Sequence, residues 1–174
     1  MPNLAEALLS LARFSRKLET IAILVDAEKE TPQERIKSIV DSLKSRNIKI
    51  TKDPEKCCKQ TYKTEILVNN RKITLIISVS GIYTVSKEKH TIEDHMVKLI
   101  GGQKVVKNKQ QILEETLKAI EKADIAKLNQ AFPHIHCMII NIIEEYYRAL
   151  QELNTVDKSL EIIKRVLEDM RSNI

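Results

Sequence analysis

The amino-acid sequence predicts a three-layer α/β domain with a mainly parallel sheet, followed by an antiparallel helical hairpin. Three observations carry that expectation. Ile21–Val25 is a continuous apolar run and Ile73–Val79 is apolar enough to be interior, both rich in β-branched residues, and after each comes a capping signature that opens a helix. Between them, Ile36, Ile39, Val40 and Leu43 recur at helical spacing. Beyond Gly102 no strand pattern remains, and apolar residues step by four and three, as along the seam of paired helices. The boundary falls near residue 105, with an α/β part over 1–105 and a helical part over 106–174.

Taken in order, Asn3 caps a short helix that reaches Arg13, with Leu4, Leu8 and Leu11 on one face. Ile21–Val25 has no polar alternation and reads as a strand buried on both faces. Thr31-Pro32-Gln33-Glu34 combines a cap residue, a first-turn proline and a glutamate three after the cap, so a helix starts there and runs to about Asn47. Ile48–Ile50 is a second short strand, and the polar stretch Lys52–Thr61, with Pro54 inside it, reads as loop. Glu65–Val68 and Ile73–Val79 are strands joined through a turn at Asn69-Asn70. Thr91-Ile92-Glu93-Asp94 opens a helix bearing Met96, Leu99 and Ile100, and Gly101-Gly102 stops it. Ile112, Leu113, Leu117 and Ile120 mark a further helix, which Pro133 separates from the next. One seam then runs from Ile135 through Ile139, Ile142 and Tyr146 to Leu153. A second, from Val156 to Met170, follows a cap at Asn154 or Thr155. The connection between them is short, so the two helices should pack antiparallel.

Composition excludes several classes. The chain has 174 residues, 43% apolar and 30% charged, which suits one globular domain, or a domain with an extension, and not a disordered chain. Abundant Lys, Glu and Ile with only three glycines fit a thermophile protein. No stretch approaches the roughly 20 apolar residues of a membrane span. The first basic residues follow the apolar ones, the reverse of a secretory signal, so a cytoplasmic location is expected. Cys57, Cys58 and Cys137 are odd in number and lack metal-ligand spacing, so neither a disulfide framework nor a zinc site is expected. The net charge of +5 permits a polyanionic partner, depending on where the charge lies. With no Trp, two Phe and four Tyr, binding single strands by stacking bases on aromatic rings is disfavoured.

The chemistry-bearing feature is the acidic end of the first strand. Side chains two apart on a strand share a side, so Asp26 and Glu28 would face one way and Ala27 the other. In open α/β sheets, ligands sit beyond the carboxyl ends of the strands, and paired carboxylates there suit Mg²⁺. Thr91, Glu93 and Asp94 also follow an apolar strand, and parallel neighbours would put both acidic clusters at one edge. The plainer alternative is a pair of acidic helix starts, favoured by the helix dipole.

At these residues a resemblance emerges. "IAILVDAE" followed by a helix, and "ITLIISVSGIYTVSKEKHTIEDHMVKLI", resemble archaeal Toprim-like proteins of unknown function, related to the Toprim domains of overcoming-lysogenization-defect nucleases. The likeness spans about residues 4–102. Asp26 matches the first Asp of the family's Asp-x-Asp, and Glu28 replaces the second. Ile92-Glu93-Asp94 matches Leu-Glu-Asp, and Thr91 with Glu93 matches a hydroxyl-x-Glu pair of metal ligands. The resemblance implies a Toprim-like fold, magnesium held by Asp26, Glu28, Thr91, Glu93 and Asp94, and action on, or binding of, nucleic-acid phosphodiesters. The family's first-strand glutamate has no counterpart: Glu6 lies in the first helix and Glu19 precedes the Asp26 strand. Weak or no activity from the chain alone is therefore expected, which leaves open whether it is an enzyme. The alternative is a non-catalytic scaffold that uses its C-terminal helices for oligomerisation.

Lys87, Lys89 and His90 adjoin Glu93 and suit a phosphate backbone, or pair loosely with acids. Lys104, Lys107 and Lys109 follow a double glycine but lack the P-loop ending, and read as a solvated basic loop. His134 and His136 are two apart at a helix start, so they do not face one ion and read as ordinary helix-start residues. The two C-terminal seams predict a homodimer through those helices.

Overall fold

The computed structural model describes residues 4–14, 19–82, 89–101, 108–152 and 158–172. In chain order the elements are α1 (Leu4–Phe14), β1 (Thr20–Asp26), α2 (Pro32–Lys44), β2 (Lys49–Cys58), β3 (Thr61–Val68), β4 (Arg71–Ser80), α3 (Ile92–Leu99), α4 (Lys109–Ile120), α5 (Ile125–Ala131), α6 (Pro133–Glu152) and α7 (Lys158–Arg171). The two apolar runs do lie side by side: β1 and β4 pair in parallel, with Ile21 opposite Leu75 and Val25 opposite Val79. The four strands run in the order β1-β4-β3-β2.

The expectation of a mainly parallel sheet is corrected. Only β1–β4 is parallel, and β2–β3 and β3–β4 are antiparallel. The cause is connection length, because tight turns can join only antiparallel neighbours, whereas parallel strands need a long crossover. The β3–β4 turn at Asn69-Asn70 has φ of 51° and 60°, a left-handed pair that asparagine tolerates and that matches the twist of a hairpin. Residues 52–58, expected as loop, belong to β2. This is an edge strand with register irregularities, where Pro54 and charged side chains are accommodated and no apolar alternation is required.

Helix α2 starts where its capping box is written. The Thr31 hydroxyl accepts from the Glu34 N–H at 3.3 Å, and the Glu34 carboxylate accepts from the Thr31 N–H at 2.8 Å. Its Ile36, Ile39, Val40 and Leu43 pack with Leu8 of α1 on one sheet face, against Ile66, Ile73, Leu75, Ile77 and Val79. The opposite face is covered by α6, whose His134 carbonyl accepts from the hydroxyls of Thr61 and Ser78 at 3.0 and 3.1 Å. The sheet is thus sandwiched between helices. Helix α5 is an extra element before Pro133, capped by Asp124.

Helices α6 and α7 form the expected antiparallel pair, since His136 near the start of α6 bonds the Met170 carbonyl near the end of α7 at 2.9 Å. The cap expected at Asn154 or Thr155 lies outside the described residues. The cysteine expectation is corrected: Cys58 at the end of β2 and Cys137 on α6 form a disulfide, with Cα atoms 6.2 Å apart. Seventy-nine residues separate them, so only the placement of α6 on the sheet brings them together. Cys57 is free and exposed. Among the described residues no helix is long and apolar enough to cross a membrane.

Candidate functional site

The parallel β1–β4 pair places Asp26 opposite Ser80, so the chain leaves both strands at one edge. Beyond Asp26, Ala27 is buried and its N–H donates to the Ser80 carbonyl at 2.9 Å. Glu28 then takes a left-handed φ of 59° and exchanges backbone hydrogen bonds with His90, at 2.9 and 2.7 Å. This clamp draws the two acidic segments together. Gly81 is required beside it, because a Cβ there would lie 2.6 Å from the His90 Cβ.

The carboxylates do different things. Asp26 accepts from the N–H of Ile92, the first residue of α3, at 2.8 Å, and so caps that helix from the neighbouring strand. Burial raises the Asp26 pKa, the Ile92 N–H opposes that shift, and the charges of Glu93 and Glu28 add to it. Glu93 is held down to about 2, first by Lys109 and then by the Thr91 hydroxyl. Lys109 Nζ lies 2.9 Å from Glu93, and Lys89 Nζ lies 3.3 Å from Glu28. Asp94 turns inward: it is 6% exposed, accepts from the N–H groups of Ile82 and Thr91 at 3.3 and 3.2 Å, and faces His90 at 3.6 Å.

Asp26, Glu28, Thr91 and Glu93 are therefore brought to one edge, whereas Asp94 is committed to backbone amides. Lysines offset the clustered charge, and both are well exposed, so these pairs are weakly held. Lys87, Lys104 and Lys107 lie outside the described residues. Among the described residues no group of three or more His, Cys, Asp or Glu side chains is arranged to hold a metal ion.

Two features escaped the sequence pattern. The first is a buried histidine pair behind the acidic edge. His95 and His134 have ring centroids 4.2 Å apart, and His134 Nε2 lies 3.0 Å from the Ser80 hydroxyl. His134 and His136 address different partners, Ser80 and the Met170 carbonyl. The second is an apolar groove of about 440 Å³ bounded by Leu24, Met96, Ile120, Ile125, Phe132 and Ile139. Leu24, Ile120, Ile125 and Ile139 are each at least 40% exposed. A period-four apolar stripe signals helix packing, but not whether this chain supplies the partner. No family model, curated protein or solved structure matches the chain.

Proposed function

We propose that the chain is a non-catalytic, self-associating binding protein on a Toprim-like layer, with a second copy covering its apolar surface. The exposed groove carries this reading, since contiguous apolar surface of that kind marks interaction sites. Strand β1 supports it. Its sequence is that of a central strand, but it is the sheet edge, with Ala22 and Leu24 exposed. The backbone of Glu19 and Ala27 bonds β4, so by alternation the N–H and C=O groups of Ala22 and Leu24 point away from it. The other edge, β2, is guarded by lysines, Pro54 and register irregularities, and β1 has no such guard.

A twofold antiparallel β1–β1 contact closes both open edges at once and keeps the two acidic ends apart. Strand pairing over seven residues, about 23 Å, falls short of the roughly 800 Å² that a stable partner covers, so the groove must be covered too. Sedimentation equilibrium tests this: the expected mass is twice 20.0 kDa, and Leu24→Lys should return the monomer. A monomer at the highest soluble concentration ends the reading.

A second reading is favoured by the convergence of Asp26, Glu28 and Glu93. In it, Mg²⁺ displaces the exposed lysines, held by these carboxylates and the Thr91 hydroxyl, and bridges to nucleic-acid phosphodiesters. Calorimetry with Mg²⁺ or Mn²⁺ separates the two, and no heat at millimolar metal removes the second. Metal-dependent cleavage that is lost in Asp26→Ala and Glu93→Ala would favour this second reading over the first.

A further inference from the structure

The chain carries a net charge of +5, and several of its lysines gather on one surface. Two clefts flank α5 and meet at Lys98. The first holds Lys59, Lys98, Asn129, Gln130 and His136. The second, about 480 Å³, holds Lys98, Lys118, Lys122 and Lys127, with Glu115 as its one acid among the described residues. Lys118 lies in the last turn of α4 and Lys122 in the turn that follows it, close in sequence and alike in charge. Among the described residues, none of Lys59, Lys118, Lys122 and Lys127 sits in an ion pair. Lys98 is positioned by donating to the Gln130 carbonyl at 2.8 Å.

We infer that this lysine track binds the phosphodiester backbone of a nucleic-acid duplex. Five ammonium groups around two joined, open clefts fit a string of phosphates better than a single small anion, which needs an enclosed site. Amide side chains of Asn129 and Gln130 add hydrogen-bonding groups of the kind that position backbones. Among the described residues no Phe or Tyr lines the track, which fits a duplex and disfavours stacking on unpaired bases. The track involves neither Asp26 nor Glu93, so it stands apart from the acidic edge, and it does not depend on self-association.

Fluorescence anisotropy with DNA and RNA duplexes, at about 50 to 200 mM salt, tests it. The expected slope of log affinity against log salt is about −4.5, or −0.9 for each of five phosphates neutralised. The double variant Lys118→Glu, Lys122→Glu should weaken binding by at least about tenfold and flatten the slope by about two units. A charge-matched control, Lys37→Glu with Lys44→Glu on the exposed side of α2, should bind nearly as the parent does. Which duplex binds more tightly names the source of the phosphodiester. The inference is overturned if neither duplex binds at the lowest salt, if the control loses as much affinity as the track variant, or if only anionic vesicles bind.

Discussion

The imidazole of His95 lies against that of His134, ring centroids 4.2 Å apart, and the hydrogen bonds of His95 fix it as neutral. Its Nε2 accepts from the Gly81 N–H at 3.1 Å, and its Nδ1 donates to the Ala131 carbonyl at 2.8 Å. A second proton would point Nε2–H at another N–H. His134 is fully buried, and among the described residues its Nδ1 has no hydrogen-bond partner.

Acid should therefore loosen this junction. Burial first, and the neighbouring His95 second, push the His134 pKa from 6.5 to about 3. Between those values the unfolded chain binds a proton that the folded chain refuses. Stability is full above pH 6.5 and falls as pH drops toward 3. The loss by pH 5 is about 2 kcal/mol. Urea denaturation at several pH values measures it, and His134→Asn should flatten the dependence. An unchanged slope in that variant counts against the assignment.

The Cys58–Cys137 disulfide should be a major staple between the sheet edge and α6. It closes a loop of 79 residues, for which chain-entropy arguments give about 4 kcal/mol and typical measurements about 2 to 4. Reduction, or Cys137→Ser, should lower the melting temperature, and the intact protein should show one titratable thiol, Cys57. Three reactive thiols in the unreduced, unfolded protein would refute the pairing.

The ion pair between Lys63 on β3 and Glu145 on α6 is half-buried, with side-chain exposures of 21% and 11%. Glu145 also holds Arg148 at 3.1 Å. Glu145→Ala strands Lys63 against α6 and should cost about 1 to 3 kcal/mol. Lys63→Met combined with Glu145→Leu should recover most of that loss, because neither charge is then left behind. Thermal melts of the two variants beside the parent decide it.

How much was legible in the sequence follows the physics of each element. The β1–β4 core and the α2 cap were legible because apolar runs and a capping box are local signals. Strand β2 was not, since an edge strand with lysines and Pro54 carries no alternation to read. Strand order depends on which connections are short, and Lys52–Thr61 read as loop hid the second hairpin. Asp26 and Ile92 are 66 apart in sequence, yet both acidic segments were readable because parallel strands end at one edge. His95 was not readable: on a helix opening with Glu93 and Asp94 it looks like a surface residue until α6 covers it.

The acidic edge yields the prediction that separates its two roles. Asp26 caps α3, so Asp26→Ala removes the acceptor for the Ile92 N–H and should cost about 1 kcal/mol. Asp26→Asn keeps an acceptor oxygen and removes a charge that burial, Glu93 and Glu28 all disfavour. A carboxyl whose folded pKa is raised weakens the fold at pH above its ordinary range, and that penalty fades as acid protonates it. Asp26→Asn should therefore match or exceed the parent at pH 7 and lose its advantage near pH 3. Magnesium adds the deciding readout. If the carboxylates serve only as cap and surface charges, the ion leaves both proteins' melting temperatures alone. If they form a cation site, Mg²⁺ offsets the repulsion that the lysines now balance, raising the parent's melting temperature and leaving Asp26→Asn in place.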